Sequence, residues 1–198
     1  MQKLTNKVAV ITGAMRGIGF AAAKLMLAQG AKIMLVDLSE EGLKKAASEL
    51  GNEDVSYVVA DVTQTAAVQN YVAQTVKKWG KIDIFFNNAG VGGEANFSWD
   101  YSEEDFDRTI AVNLKGVWLG LKYVTPVMKN SGGGSIILTS SAAGLRGMAK
   151  GIAYSASKHA VVGMMKTAAL ETAYFKIRVN SIHPGPIETD MVRDLESS

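Results

Sequence analysis

Short apolar runs, rich in valine and isoleucine, alternate along this chain with longer segments in which apolar residues recur at helical spacing. Helical patterns include Val68, Val72 and Val76. From Ser102 to Lys129 the pattern predicts a helix, with or without a break. A second long helix is predicted for residues 153–174. The apolar runs predict six buried strands, near residues 7–12, 31–36, 55–60, 82–86, 135–139 and 176–182.

The alternation of strands with helices predicts a doubly wound, Rossmann-like α/β fold, in which helices cover both faces of a parallel sheet. The chain shows no linker or longer repeat, so we expect a single domain over residues 1–198. In such sheets, ligands bind at the carboxyl ends of the strands. The glycine-rich and polar clusters of this chain follow directly on the predicted strands, which places candidate chemistry at that edge.

The composition excludes several classes of function. The net charge is +2, from 21 basic and 19 acidic residues, and no block of lysine or arginine is present. We therefore expect no nucleic-acid and no membrane partner. Cysteine is absent and there are two histidines, so we expect no metal site. The sequence shows neither a signal peptide nor an apolar run of membrane-spanning length, and we take a cytoplasmic location as the default.

Gly13, Gly17 and Gly19 lie between the first strand and its helix. Glycines there allow a tight turn and a close approach to a pyrophosphate, which the helix N-terminus then binds. The spacing is Gly-x3-Gly-x-Gly. A register that starts at Gly17 fits the dinucleotide fingerprint, but it lies several residues beyond the strand. We prefer the register that starts directly after Thr12, and a glycine-rich turn without a ligand is the alternative.

Asp37 follows the second predicted strand. A carboxylate at this position can accept both ribose hydroxyl groups of an adenosine and would repel a 2′-phosphate, which favours NAD over NADP. Alternatively, Asp37 belongs to the start of the next helix. Arg16 in the glycine segment would favour a phosphate, but we expect the fixed carboxylate to prevail.

Tyr154 and Lys158 are four residues apart on the last predicted helix and therefore share nearly the same face. A nearby positive charge favours the phenolate form of a phenol. A tyrosine with such a neighbour can move a proton on and off an alcohol or carbonyl oxygen. An ordinary surface pair is the alternative for the two residues taken alone.

These motifs together resemble the short-chain dehydrogenase/reductase family in its common form. The resemblance spreads over residues 12–189, in the order of the family's motifs. The matching segments are 12–19, Asp61-Val62, Asn87 to Gly90, Asn113, Ser140-Ser141, Tyr154 with Lys158, and Pro184-Gly185 with Thr189.

The resemblance implies an oxidoreductase that transfers hydride between NAD(H) and a secondary alcohol or ketone, with Tyr154 as general acid/base. Lys158 would favour the phenolate and bind the nicotinamide ribose. Ser141 would hydrogen-bond the substrate oxygen, whereas Ser140 is assigned the capping of the loop. Asn113 would hold a water that links Lys158 to solvent, or alternatively would bridge backbone groups.

The cofactor-binding residues implied by the same resemblance follow five of the six predicted strands or lie on the helix predicted for residues 153–174. They are Gly13, Arg16, Gly17, Ile18, Gly19, Asp37, Leu38, Asp61, Val62, Asn88, Ala89, Gly90, Tyr154, Lys158, Pro184, Gly185, Ile187 and Thr189. His183, next to Pro184, is expected to be structural.

Two other functions remain open. One is a β-ketoacyl-carrier-protein reductase that uses NADPH, against which Asp37 argues. The other is a non-enzymatic NAD-binding regulator, which would not need Ser141 or Tyr154. The resemblance also implies a homodimer or homotetramer and a small-molecule substrate that is cyclic or hydroxylated.

The family continues beyond the equivalent of Ser198 with lid helices and a seventh strand, and six strands are predicted here. We expect that the sequence is part of a longer protein rather than a truncated form. Specificity would then come from residues 91–99 and 142–151 together with the lid.

Overall fold

The computed structural model of the protein describes residues 2–188, and its six strands form one sheet. The strand order is β3-β2-β1-β4-β5-β6, and every neighbouring pair is parallel. The chain thus moves from β1 to one edge and then returns to build the other side, which confirms the doubly wound fold. The strands are β1 (Val8–Thr12), β2 (Lys32–Asp37), β3 (Val55–Val59), β4 (Ile84–Asn87), β5 (Gly134–Thr139) and β6 (Ile177–Ile182).

Six α-helices connect these strands within the described part of the chain. They are α1 (Gly17–Ala28), α2 (Glu40–Leu50), α3 (Thr65–Trp79), α4 (Glu103–Ile110), α5 (Val117–Asn130) and α6 (Ile152–Thr172). Among residues 2–188, no helix combines the length and apolar character needed to cross a bilayer.

Two hydrophobic cores lie on opposite faces of the sheet, because successive residues of a strand point to opposite sides. In β1, Val10 belongs to the core with residues of α3, α5 and α6, whereas Ala9 and Ile11 belong to the core with residues of α1 and α2. All five residues of β1 are buried. Burial on both faces explains why its sequence is a continuous apolar run.

The helix predicted from Ser102 to Lys129 does contain a break. A π-helical turn, Ala111–Gly116, lies between α4 and α5. Ser102 caps α4, since its Oγ accepts a hydrogen bond from the Asp105 amide at 3.3 Å. A π-turn contains one more residue than an α-turn and often occurs at functional sites. It turns Asn113 into the interior, where the side chain is fully buried.

The amino ends of β1 and β4 are joined by Asp83, far from the polar strand ends. Its Oδ2 accepts a hydrogen bond from the Val8 amide at 2.9 Å, and its carboxylate pairs with Lys7 at 3.2 Å and Lys81 at 2.9 Å. Partial burial opposes ionisation, but these partners lower the pKa of Asp83 below its usual value. The backbone of this aspartate also donates to Val8 O at 2.9 Å.

Gly120 on α5 and Gly163 on α6 provide a matched test of the packing of α5 on β4. A Cβ on Gly120 would lie 2.6 Å from Asn87 Nδ2 and 2.7 Å from Phe85 Cζ, whereas one on Gly163 meets nothing within 4 Å. We expect Gly120→Ala to lower the free energy of unfolding by about 1–3 kcal/mol through overpacking. Gly163→Ala should raise it by up to about 1 kcal/mol through helix propensity. Urea unfolding of both variants measures the difference, and equal stabilities would contradict the packing of α5 on β4.

Candidate active site

A cavity of about 350 Å³ opens at the carboxyl ends of the strands and receives residues that follow all six of them. Most of the predicted site residues line it. They are Gly13, Arg16, Gly17, Ile18, Asp37, Leu38, Asp61, Val62, Asn88, Ala89, Gly90, Ser141, Tyr154, Lys158, Pro184, Gly185 and Ile187. Gly19 and Asn113 do not line the cavity, and Thr189 lies outside the described residues.

Residues that the sequence analysis does not select as site residues also line this cavity. Most of them lie beside a predicted motif at a strand end, which is the signal that would have found them, whereas Val112 lies in the π-turn and has no such signal. They are Met15, Val36, Ala60, Val91, Val112 and Thr139, together with Ser140, to which the sequence analysis assigns the cap of the loop.

The glycine segment forms a tight turn directly after β1, and its second half is the first turn of α1. Gly13 has a φ of 64°, and a Cβ there would lie 2.9 Å from the Cα of Ala89. A Cβ on Gly19 would lie 2.1 Å from Gly13 O. Gly19 therefore allows close packing of α1 on the turn, and its contact with a cofactor stays a prediction.

The N-terminus of α1 points into the cavity with features that suit an anion. Within the described part of the chain, its N-cap residue, Arg16, makes no capping side-chain hydrogen bond, and the first turn has no acidic residue. The first backbone N–H groups of a helix lack intrahelical acceptors and carry the positive end of the dipole. Gly17 and Ile18 line the cavity here, so the segment fits a pyrophosphate.

Asp37 is held in place by backbone donors on both sides. Its Oδ2 accepts from the Met15 amide at 3.1 Å, and its Oδ1 accepts from the Leu38 amide at 2.8 Å. The start of α2 does not need this carboxylate, because Ser39 is the N-cap and accepts from the Gly42 amide at 3.0 Å. The alternative role of Asp37 as a helix-start residue is therefore wrong, and the carboxylate is fixed at the cavity.

Asn88 joins three strand ends through contacts that the sequence analysis does not foresee. Its side-chain amide donates to Thr12 O at 3.1 Å and Gly13 O at 3.2 Å, and its Oδ1 accepts from Thr139 Oγ1 at 3.1 Å. The buried Thr12 hydroxyl in turn accepts from the amides of Asn88 at 2.9 Å and Ala89 at 3.1 Å. The polar atoms of Asn88 are thus engaged mainly in holding β1, β4 and β5 together beside the cavity.

Tyr154 and Lys158 lie on the first turns of α6, at the opposite end of the cavity from Asp37. Lys158 is only 3% exposed, so the two are not an ordinary surface pair. Its Nζ lies 5.6 Å from the centre of the Tyr154 ring and donates to Thr139 O at 2.9 Å. Burial lowers the pKa of Lys158 to about 8.

The cap of the loop after β5 belongs to a different serine from the one that the sequence analysis selects. Ser141, not Ser140, caps the loop: its Oγ accepts from the Ala143 amide at 3.1 Å and begins a short 3-10 helix, Ala142–Gly144. Ser140 is buried and donates to Lys158 O at 2.8 Å, which anchors α6. A hydroxyl that accepts one hydrogen bond can still donate its own hydrogen. Ser141, which lines the cavity, therefore remains suited to bind a substrate oxygen.

His183 holds the same loop against β6. Its Nδ1 lies 3.3 Å from Ser141 O, and its Nε2 lies 2.9 Å from Ser181 Oγ. These contacts fit the structural role that the sequence analysis expects for this histidine.

Asn113 lies behind the cavity wall and is engaged by backbone groups. Its Oδ1 accepts from the Val91 amide at 2.8 Å, and its Nδ2 donates to Val91 O at 2.9 Å and to Ser157 Oγ at 3.2 Å. A Cβ on Gly90 would lie 3.1 Å from Asn113 Oδ1 and 3.3 Å from Lys158 Nζ. The structure thus brings Asn113 Oδ1 and Lys158 Nζ close together on the same side of Gly90, and the Asn113 side chain bridges backbone groups.

The family model described as "short chain dehydrogenase" matches residues 7–198 of the chain. The chain is 41% identical over 196 residues to levodione reductase of Leifsonia aquatica, covering 97% of this chain and 73% of that protein. It is 38% identical over 199 residues to cyclohexanol dehydrogenase of Acinetobacter sp. strain SE19, covering 99% of this chain and 79% of that protein.

Solved structures are similar over the same extent. The structure of NAD+-bound xylitol dehydrogenase has a TM-score of 0.94 and 38% identity, covering 98% of this chain and 75% of that chain. The structure of 3-ketoacyl-(acyl-carrier-protein) reductase from Brucella melitensis, complexed with NADH, has a TM-score of 0.93 and 34% identity, covering 96% of this chain and 80% of that chain.

The buried ammonium of Lys158 leads to a prediction about stability. A lysine with a lowered pKa in the folded state destabilises the fold below that pKa, and the cost disappears as the pH rises towards the unfolded value. We expect the unfolding free energy of the wild type, relative to Lys158→Met, to rise by roughly 2 kcal/mol between about pH 7 and about pH 10.

Urea unfolding at both pH values measures this difference. Lys166→Met, which removes an exposed lysine further along α6, is the matched control for the loss of a charge from the helix. A Lys158→Met difference that does not depend on pH would contradict the burial of a titrating ammonium.

Proposed function

The chain belongs to the short-chain dehydrogenase family, and on that basis we propose that it is an NAD-dependent oxidoreductase of secondary alcohols and ketones. One observation carries the proposal. A single cavity has the glycine turn and the Asp37 carboxylate at one end, and Tyr154 beside the buried Lys158 at the other. This arrangement suits a dinucleotide that extends along the strand ends and presents its reactive ring to a proton-transfer group.

The bound nicotinamide cofactor would supply the hydride acceptor for alcohol oxidation and the hydride donor for ketone reduction. The Tyr154 phenolate would take the hydroxyl proton of the alcohol, and its phenol would return a proton to the ketone oxygen in the reverse direction. The Ser141 hydroxyl, free to donate, would orient the substrate oxygen. The Lys158 ammonium would favour the phenolate form of its neighbour.

The cofactor preference follows from the fixed carboxylate of Asp37. Its two oxygens are positioned by the Met15 and Leu38 amides, and it lines the cavity. A ribose with free hydroxyl groups can donate to it, whereas a 2′-phosphate would meet like charge. We therefore propose NAD in preference to NADP.

Carrier-bound 3-ketoacyl reduction is the second candidate. The reductase from Brucella melitensis, similar to this chain, is complexed with NADH. Cofactor preference alone therefore does not separate this activity from alcohol dehydrogenation. The two candidates differ in the length and polarity of the substrate that must pass residues 91–101 and 142–151.

A cofactor-linked screen of the full-length protein tests the proposal. The panel should contain cyclic alcohols such as cyclohexanol, polyols such as xylitol, the matching ketones and a 3-ketoacyl thioester. Turnover of secondary alcohols with NAD+ supports the first candidate, and preference for the thioester supports the second. Tight NAD binding with no turnover of any panel member would favour a non-enzymatic regulator.

Tyr154→Phe tests the proton-transfer role. We expect cofactor affinity to stay within about twofold, while turnover falls by at least about 100-fold because the phenolic oxygen is lost. Tyr174→Phe is the control, since it removes a hydroxyl from a side chain that is 91% exposed. Near-normal turnover in Tyr154→Phe would refute the assignment.

Asp37→Asn tests the cofactor preference. Loss of the charge should lower the ratio of kcat/KM with NAD to kcat/KM with NADP by about tenfold, or roughly 1.4 kcal/mol. Asp61→Asn is the matched control, because Asp61 lines the same cavity but its Oδ1 accepts from the Thr63 amide at 2.8 Å. We expect it to affect both cofactors alike. An unchanged ratio in Asp37→Asn would overturn the preference.

The homodimer or homotetramer stays a prediction from the family resemblance. Exposed apolar side chains on α5 and α6 support it, since Trp118 on α5 is 47% exposed and Leu170 on α6 is 83% exposed. Large exposed apolar patches are typical of interaction surfaces.

A further inference from the structure

Three buried polar residues form a row along α4 and the π-turn. Asp105, Thr109 and Asn113 are 6%, 0% and 0% exposed. Residues four apart on a helix share a face, so the three side chains face the same neighbour. That neighbour is the backbone of residues 90–94, because Cβ atoms on Gly90 and Gly93 would lie within 3.1 Å of oxygen atoms of all three. The polar row thus holds the first part of the loop 91–101.

Asp105 binds this loop at two places with one carboxylate. Its Oδ2 accepts from the Glu94 amide at 2.8 Å and from Tyr101 Oη at 2.5 Å, and its Oδ1 accepts from Arg108 Nε at 3.0 Å. Burial opposes ionisation, but the hydrogen bonds from Tyr101 and Arg108 lower the pKa of Asp105 to about 2. At neutral pH the side chain is therefore an ionised acceptor, and charge-assisted hydrogen bonds are the stronger kind.

The backbone of the loop leaves little freedom where it meets Asp105. Gly93 has a φ of 74°, a conformation that L side chains rarely adopt. A Cβ there would lie 2.5 Å from Tyr101 Oη and 2.9 Å from Thr109 Oγ1. The loop therefore has one closely defined path past the polar row.

The loop connects the polar row to the helix that carries Tyr154. Near its start, Val91 is bound by Asn113 and lines the cavity. Further on, the Asn96 amide donates to Lys150 O at 3.0 Å, just before α6 begins. The Lys150 ammonium lies 5.0 Å from the centre of the Phe97 ring. The path of the loop therefore links the position of Val91 in the cavity wall to the segment that leads into α6.

The opposite part of the cavity is held by other groups. Gly13 follows β1, and its carbonyl accepts a hydrogen bond from the Asn88 side chain. Asp37 ends β2, and its carboxylate accepts hydrogen bonds from the amides of Met15 and Leu38. A change in the path of the loop should therefore affect the substrate side more than the cofactor side.

We propose that Asp105 is a positioning residue for the reaction: by holding the loop 91–101 it sets the substrate-side wall of the cavity. The inference rests on the proposed function, in that it assigns the space beside Tyr154 to the alcohol or ketone. Asp105 acts through the loop and does not itself contact the reacting atoms.

Asp105→Asn tests this role. An asparagine replaces one acceptor oxygen with a donor, so the Glu94 amide or the Arg108 guanidinium loses its partner. We expect KM for the alcohol to rise by about tenfold or more, kcat to stay within about threefold and the dissociation constant of NAD to stay within about twofold. A rise in the dissociation constant of NAD equal to the rise in KM would overturn the proposal.

Hydrogen exchange of residues 91–101 gives a second readout that does not require activity. We expect their amides to exchange faster in Asp105→Asn than in the wild type, while the amides of β1 keep their rate. This readout separates the two proposals. If the wild type shows no turnover but the loop of Asp105→Asn still exchanges faster, the loop assignment stands and the proposed function is refuted. Unchanged exchange together with unchanged KM refutes the role of Asp105.

Asp107→Asn is the matched control, because it makes the same substitution at an exposed position of the same helix. We expect wild-type KM and exchange. If Asp105→Asn does not fold, Tyr101→Phe and Gly93→Ala decide the question from the loop side. Both should raise KM more than they lower kcat, and two variants with wild-type KM would refute the proposal.

Discussion

The buried ammonium of Lys158 is the constraint on which the geometry of the site depends. A charge without water is costly unless its protons meet acceptors, and Thr139 O supplies one at 2.9 Å. Two residues next to Lys158, Ser140 and Gly90, are constrained by this buried residue. Ser140 binds the carbonyl of Lys158 itself, which ties α6 to the end of β5. Gly90 leaves room beside the Nζ, since a Cβ on this residue would lie 3.3 Å from it. The position of Tyr154, one turn earlier on α6, follows from these contacts.

The two halves of the cavity are held by different parts of the fold. On the dinucleotide side, Thr12 and Asn88 join the ends of β1, β4 and β5 through buried hydrogen bonds. Strand ends in a hydrogen-bonded sheet are rigid, and such rigidity suits a ligand with a fixed shape. On the other side, a loop is held by side chains of α4 and the π-turn. Loops on a rigid scaffold tolerate change better than strands do, so sequence differences between related proteins should concentrate on this side.

The fold was predictable because the alternation of strands and helices is a local pattern, and the topology then places every strand end at one edge. The family resemblance then gave most of the residues that line the cavity at this edge. The cap of the loop by Ser141 instead of Ser140 could not be predicted, because the backbone path after β5 decides which of two adjacent serines meets the Ala143 amide and which meets the carbonyl of Lys158. The contacts of Asp105 with the loop 91–101 could not be predicted for a different reason. As the third helical residue after Ser102, Asp105 already satisfied a helix-start pattern, whereas its partners, Glu94 and Tyr101, are brought to it by tertiary packing. Helical periodicity likewise gave no sign that Asn113 would turn away from the cavity.

The π-turn makes this part of the chain sensitive to its residue count. In a regular α-helix, positions spaced by four drift around the axis, so Asp105 and Asn113 would diverge over two steps. The wider turn at 111–116 takes up one extra residue. Removal of a single residue there would restore an ordinary helix and change which side chains of the turn face residues 90–94. The number of residues between Asp105 and Asn113 is therefore fixed by the backbone groups of Glu94 and Val91, which these two side chains bind.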